Sequence, residues 1–159
     1  MQRLLLVLAL LVLLSGVLGC GAHRRYTIET GANGSLAGVR TIPRDGDYDI
    51  PVDTWIRVYW PVGSEPPPEF TFVLRNGSDT RVLTYLHDSD QKYEWWFEPY
   101  EDLDRYTRYK MEIKAGEERV VSYFWTEEED TRAPSSNIPP GAGPRITEPL
   151  DEHTVRTAQ

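Results

Sequence analysis

The feature that most constrains the fold is a series of short segments between residues 39 and 126 in which apolar and polar side chains alternate. The clearest segment is 109–114, where Tyr109, Met111 and Ile113 are separated by charged residues. A period of two places successive side chains on opposite faces of a β-strand, whereas an amphipathic helix requires a period near 3.6. No helical period is evident after residue 20, so the chain is predicted to be all-β.

Turn chemistry divides this region into seven predicted strands. Asn76-Gly77 is a strong hairpin signal because both residues tolerate a positive φ. The predicted strands are 39–42, 54–60, 70–75, 81–86, 93–98, 109–114 and 120–126. Short strands at this spacing are typical of an antiparallel β-sandwich or a small barrel.

Two stretches resemble the bacterial Ig-like domains of the SbsA type, first named from an S-layer protein. Residues 42–58 read Ile-Pro-Arg-Asp-Gly-Asp-Tyr-Asp-Ile-Pro-Val-Asp-Thr-Trp-Ile-Arg-Val, and residues 95–99 read Trp-Trp-Phe-Glu-Pro, with Leu103 and Thr107-Arg108-Tyr109 beyond. The resemblance implies an Ig-like antiparallel β-sandwich of about seven strands. It also implies structural roles: Pro99 ends a strand, Leu103 closes the bottom of the core, and the Tyr109 hydroxyl bonds to the backbone of the preceding corner. Tyr106 stands where the family often has glycine, and the last hairpin is tighter than in the family.

The first twenty-one residues have the parts of an export signal. Arg3 precedes an apolar run from Leu4 to Leu14, and small residues follow. Val17-Leu18-Gly19-Cys20 resembles the lipobox of bacterial lipoproteins, which implies cleavage between Gly19 and Cys20 and attachment of diacylglycerol and a further acyl chain such as palmitate to Cys20. An ordinary secreted protein and an uncleaved membrane anchor are the alternatives, although a spanning helix needs about twenty apolar residues.

These signals divide the chain into four parts. Residues 1–19 are the predicted signal peptide and 20–38 a flexible tether rich in glycine. Residues 39–126 form the predicted sandwich. Residues 127–159 begin with acidic residues and continue with proline and glycine, and so few apolar residues predict a disordered tail.

Composition and motifs argue against catalysis. The chain of 159 residues has a formal charge of −8, and removal of 1–19 with Arg3 makes it −9. An acidic chain is a poor candidate for nucleic acid, which requires a basic face. The three histidines His23, His87 and His153 lack ligand spacing, and neither a nucleophile elbow nor a phosphate-binding glycine loop is present. We therefore expect neither enzymatic activity nor a cofactor.

One acidic cluster has the alternation of a calcium loop. Asp45, Asp47 and Asp49 are a weak calcium candidate. An EF-hand that began at Asp45 would need glycine and glutamate at the positions of Ile50 and Ile56. The favoured interpretation is a solvated turn, with no metal.

Aromatic residues on the predicted outer faces are the remaining candidates for a binding surface. If Ile56, Val58 and Trp60 point inward, Trp55 and Tyr59 point outward, and Trp96 does so on a neighbouring strand of an Ig-type sheet. Large exposed apolar patches usually mark binding surfaces. A second group was expected on the other sheet: Tyr85, Tyr123 and Trp125. The alternatives are that the tether, tail or loops cover these residues, or that the strand register differs by one.

Three hypotheses for function follow. The first is a non-catalytic, lipid-anchored Ig-like module of the bacterial cell envelope with a structural or protein-binding role. The second is a lipoprotein that binds a glycan or small ligand through Trp55, Tyr59 and Trp96, and the third is an accessory subunit of an envelope complex. Gly21 after the modified Cys20 lacks the aspartate of inner-membrane retention, which implies the outer membrane in a host that has one.

Overall fold

A computed structural model describes residues 36–129 and 138–157 of the chain. Within these ranges the regular structure is entirely β, and no helix is present that is long and apolar enough to cross a bilayer. The strands are β1 (Arg40–Ile42), β2 (Asp47–Ile50), β3 (Ile56–Tyr59), β4 (Glu69–Arg75), β5 (Arg81–Val82), β6 (Thr84–Ser89), β7 (Glu94–Pro99), β8 (Arg108–Ala115), β9 (Glu118–Thr126), β10 (Ala142–Arg145) and β11 (His153–Arg156).

The strands form two sheets packed as an Ig-like sandwich. The first sheet has the order β1-β3-β7-β6-β10, and the second has the order β11-β4-β8-β9-β2, with β5 also paired to β4. Apart from the parallel pair β2–β9, the ladders are antiparallel. Strands β1, β3, β7 and β6 occupy the places of the A, B, E and D strands of an Ig domain, and β4, β8 and β9 those of C, F and G. The prediction of an all-β, Ig-like sandwich is confirmed.

The alternation in sequence produces the core. Tyr109, Met111 and Ile113 of β8 are all buried, and so are the predicted inward residues of β3 and β4. Phe72 and Phe97 stack across the two sheets with ring centroids 3.9 Å apart. On β8, however, Glu112 is also buried although it was expected to face solvent.

The N-terminal boundary of the sandwich differs from the prediction. The tether was predicted to extend to residue 38, but the Leu36 side chain is fully buried in the core. The Leu36 backbone N–H donates to the carboxylate of Glu118 at the start of β9. A single apolar residue in a glycine-rich stretch carries no periodicity, so sequence reasoning placed it in the tether.

The C-terminal segment also corrects the prediction. Residues 138–157 were expected to be disordered, but they supply β10 and β11. Strand β10 pairs with β6 at the edge of the first sheet, and β11 pairs with β4 at the edge of the second. Val155 and His153 of β11 are buried. The segment has few apolar residues of its own, and it is ordered because two strand edges provide its backbone partners.

Strand boundaries differ at two further places. The predicted strand 81–86 is divided into β5, which pairs with β4 of the second sheet, and β6, which pairs with β7 of the first. Leu83 lies at this division and is partly exposed. Strand β2 was not predicted because its sequence Asp-Tyr-Asp-Ile is too polar to suggest a strand.

Candidate functional site

The predicted aromatic face is assembled, but it is not exposed. Strands β3 and β7 pair with Arg57 opposite Trp96 and Tyr59 opposite Glu94, so the neighbouring strands were correctly predicted. However, Trp55 is only 9% exposed and Trp96 only 8%, while Tyr59 is half-buried. The prediction of an exposed stripe at Trp55, Tyr59 and Trp96 is therefore wrong.

An ion pair and its hydrogen bonds enclose Trp96. The Trp96 indole N–H donates to Glu94 Oε1 at 2.9 Å, and the other Glu94 oxygen forms a salt bridge with Arg57. The Arg57 guanidinium also lies over the ring of Tyr59, 4.3 Å from its centroid, and over that of Trp96. Glu94 is 6% exposed, and a carboxylate so buried requires charged and hydrogen-bonded partners of this kind.

Trp55 is covered by residues that the sequence did not place near it. Its ring contacts the imidazole of His87 on β6 with centroids 4.4 Å apart. Ile138, from the C-terminal segment, lines the same small recess as Trp55. Burial by the tail was one of the alternatives left open by the sequence.

A polar network fixes β10 on this face. His87 Nδ1 lies 3.0 Å from the Gly143 carbonyl oxygen, and His87 Nε2 lies 2.8 Å from Glu98 Oε2. Arg145 donates to both oxygens of Glu98 at 2.9–3.2 Å, and its guanidinium lies 3.8 Å from the ring centroid of Tyr85. Both His87 nitrogens are engaged, so the ring holds the C-terminal segment against β6. Tyr85 belongs to the first sheet, contrary to the prediction.

The outer face of the second sheet combines a buried acid with one exposed and one half-buried aromatic residue. Glu112 forms salt bridges to Lys114 at 2.7 Å and Arg119 at 3.0 Å. Burial alone would raise the pKa of Glu112, but the hydrogen bonds from these two cations outweigh it and the pKa is lowered. Trp125 is 40% exposed, whereas Tyr123 is half-buried beneath the Arg108 guanidinium.

The corner before β8 has the hydrogen bond that the family resemblance implies for Tyr109. Its hydroxyl accepts the backbone N–H of Asp104 at 2.8 Å, and burial raises the pKa of Tyr109 to about 12. Leu103 is buried at the end of the core, and β7 ends at Pro99. These three residues position the loop between β7 and β8.

The aspartate cluster has the geometry of a turn. Asp45 Oδ1 accepts the backbone N–H of Tyr123 at 2.9 Å, and Asp47 Oδ2 accepts that of Arg44 at 2.7 Å. Asp49 has a positive φ of 59°. Among the described residues no three His, Cys, Asp or Glu side chains are grouped to hold a metal.

Of the remaining candidates, the structure describes only His153. His153 is buried; its Nε2–H donates to the Thr84 carbonyl oxygen at 2.8 Å, while its Nδ1 has no partner in the described structure. Burial lowers the pKa of His153. Gly19, Cys20 and His23 lie outside the described residues.

A cavity that sequence reasoning missed lies between β1 and β9. Its volume is about 450 Å³, and its walls are formed by both strands and the segment before β1. Its lining comprises Leu36, Gly38, Val39, Arg40, Thr41, Arg44, Tyr59, Val120 and Ser122. No signal in the sequence brings these residues together, because they meet only when the first and last strands of the Ig-like domain face each other.

The fold and these contacts define the class of the described region as an Ig-like β-sandwich with a C-terminal segment that adds a strand to each sheet. Comparison of the chain with protein-family models, with curated proteins and with solved structures gives no significant match.

Proposed function

We propose that the protein is a non-catalytic, lipid-anchored Ig-like module of the bacterial cell envelope with a protein-binding or structural role. The observation that carries the proposal is the lipobox-like Val17-Leu18-Gly19-Cys20 ahead of an Ig-like sandwich. Two acyl chains hold a protein on a membrane far more stably than one. The outer membrane is the proposed location in a host that has one, because Gly21 follows Cys20.

The exposed aromatic residues favour a protein-binding role. Tyr48 on β2 is 79% exposed, and Trp125 on the adjacent β9 is 40% exposed. The β2–β9 register pairs Asp47 with Phe124 and Ile50 with Thr126, so the two aromatics lie in neighbouring stretches. Tyrosine and tryptophan are enriched where proteins bind one another. The same surface suits an accessory subunit of an envelope complex, and the burial of Trp55 and Trp96 removes the basis for a glycan platform there.

The experiment compares membrane attachment and partner capture in cells that express the full chain. Wild-type protein should incorporate labelled palmitate and partition into detergent, and Cys20→Ser should lose both properties. Gly21→Ser is the matched control, since it leaves the four lipobox residues intact. An unmodified Cys20 thiol on the processed wild-type chain would refute the anchor.

Crosslinking of the same membranes tests the binding role. A specific protein should copurify with the wild type and be lost, or reduced at least about tenfold, with Tyr48→Ala/Trp125→Ala. Tyr100→Ala, at another half-exposed aromatic, serves as the control. Equal capture by both variants would argue against this surface, whereas anchored protein with no captured partner would favour the structural role.

A further inference from the structure

We infer that the cavity between β1 and β9 binds a small organic anion with a compact apolar body, of the arylalkanoate class. Its volume of about 450 Å³ lies in the range of small-molecule sites, which combine apolar walls with a few convergent polar groups. Leu36 and Val120 provide buried apolar walls, and Tyr59 provides an aromatic one. This inference concerns a surface that the proposed function does not use.

An unsatisfied hydroxyl inside the cavity supports a polar ligand. Ser122 is 2% exposed and lines the cavity, and its side-chain oxygen has no hydrogen-bond partner in the described structure. Burial of a hydroxyl without a hydrogen-bond partner lowers the stability of the fold, because the group loses its bonds to water. A carboxylate oxygen of the ligand would accept a hydrogen bond from the Ser122 hydroxyl and so satisfy it.

Two arginines at the cavity provide the charge. The side chains of Arg40 and Arg44 are exposed, and within 36–129 and 138–157 neither guanidinium forms a salt bridge. Other arginines of the described structure do reach carboxylates: Arg57, Arg81, Arg119, Arg145 and Arg156. Guanidinium groups match carboxylates in a bidentate geometry, so in an otherwise acidic chain these two arginines select an anion.

Two carboxylates near this site bond to backbone N–H groups and form no salt bridge with its arginines in the described structure. Glu118 accepts the Leu36 backbone N–H, and Asp47 accepts the backbone N–H of Arg44 rather than its guanidinium. Arg57 lies against the ring of Tyr59 and is itself paired with Glu94. Within the described residues, the cavity therefore combines apolar walls, a hydroxyl without a hydrogen-bond partner and two cations without a salt bridge.

The test is calorimetric titration of the full chain in detergent with 4-phenylbutanoate and with 4-phenylbutylamine. The two probes share an apolar body and differ in the sign of their charge. The acid should bind saturably with one site, and the amine should not bind. Equal binding of both probes, or no saturable binding of the acid, would overturn the inference. Inorganic phosphate bound as tightly as the acid would also overturn it, because the apolar walls would then contribute nothing.

Variants assign the binding to the cavity. Arg40→Gln/Arg44→Gln should lower the affinity for 4-phenylbutanoate at least about tenfold. Ser122→Ala should lower it by about three- to tenfold. Lys92→Gln/Arg156→Gln changes the net charge equally at exposed positions outside the cavity lining, and it should leave binding unchanged. A double arginine variant that binds like the wild type would contradict the assignment. Palmitate labelling and partner capture should not change in these variants, so this inference and the proposed function fail independently.

Discussion

At the scale of single residues, two aromatic side chains each combine packing with one specific hydrogen bond. Tyr109 is an example, because its ring packs against Phe124 at 5.5 Å between centroids while its hydroxyl secures the corner at Asp104. Trp96 is another example. An exposed Trp96 would offer a binding surface, but the indole is buried and its N–H donates to Glu94. Sequence identifies both residues but determines the environment of only the first.

Removal of the Tyr109 hydroxyl tests the corner. Tyr109→Phe should lower the free energy of unfolding by about 1 kcal/mol, because the Asp104 N–H loses a hydrogen bond. Urea unfolding of the wild type and the variant gives the difference. Tyr106→Phe, at a residue that is 78% exposed, is the control and should be neutral. An unchanged stability in Tyr109→Phe would contradict this role for the hydroxyl.

At the scale of elements, the C-terminal strands protect sheet edges. An unpaired edge strand is a template for pairing with another chain, and β10 and β11 cover the edges of β6 and β4. Side-chain contacts add to the backbone pairing. Arg145 bonds to Glu98, and His153 packs against Phe97 with centroids 5.5 Å apart. These contacts make the segment part of the domain.

Truncation before residue 138 tests this role. The shortened chain should lose several °C of thermal midpoint, since burial of Val155 alone is worth about 1.5–3 kcal/mol. It should also associate with increasing concentration in sedimentation experiments, because two edges are uncovered. Removal of 158–159, beyond β11, should have neither effect. A truncated protein that stays monomeric with an unchanged midpoint would show that the strands are dispensable.

At the scale of the whole molecule, buried ionisable groups make stability depend on pH. His153 has its pKa lowered from 6.5 by burial, so the unfolded chain binds its proton more readily. Its contribution to the free energy of unfolding is complete above about pH 6.5 and declines as the pH falls. Burial opposes ionisation of Glu112, but Lys114 and Arg119 lower its pKa from 4.5. The contribution of Glu112 to the free energy of unfolding is complete above pH 4.5 and is lost at lower pH.

The free energy of unfolding, measured between pH 8 and pH 3, should therefore decline in two steps as the pH falls. The first, below about pH 6.5, has a slope of at most about 1.4 kcal/mol per pH unit for one proton. His153→Gln should flatten the first decline, whereas Glu112→Gln should retain it and reduce the second. A first decline of equal size in His153→Gln would assign it to another group.

The sequence by itself determined the all-β class and the inward faces of β3, β4 and β8, because strand periodicity and turn chemistry are local properties. The corner roles of Pro99, Leu103 and Tyr109 were expected from the resemblance to a known family and not from periodicity. The exclusion of Trp55 and Trp96 from solvent, the order of residues 138–157 and the cavity beside Ser122 were decided by the tertiary structure. Each depends on a partner distant in sequence, since exposure is a property of what packs against a residue and not of the residue itself.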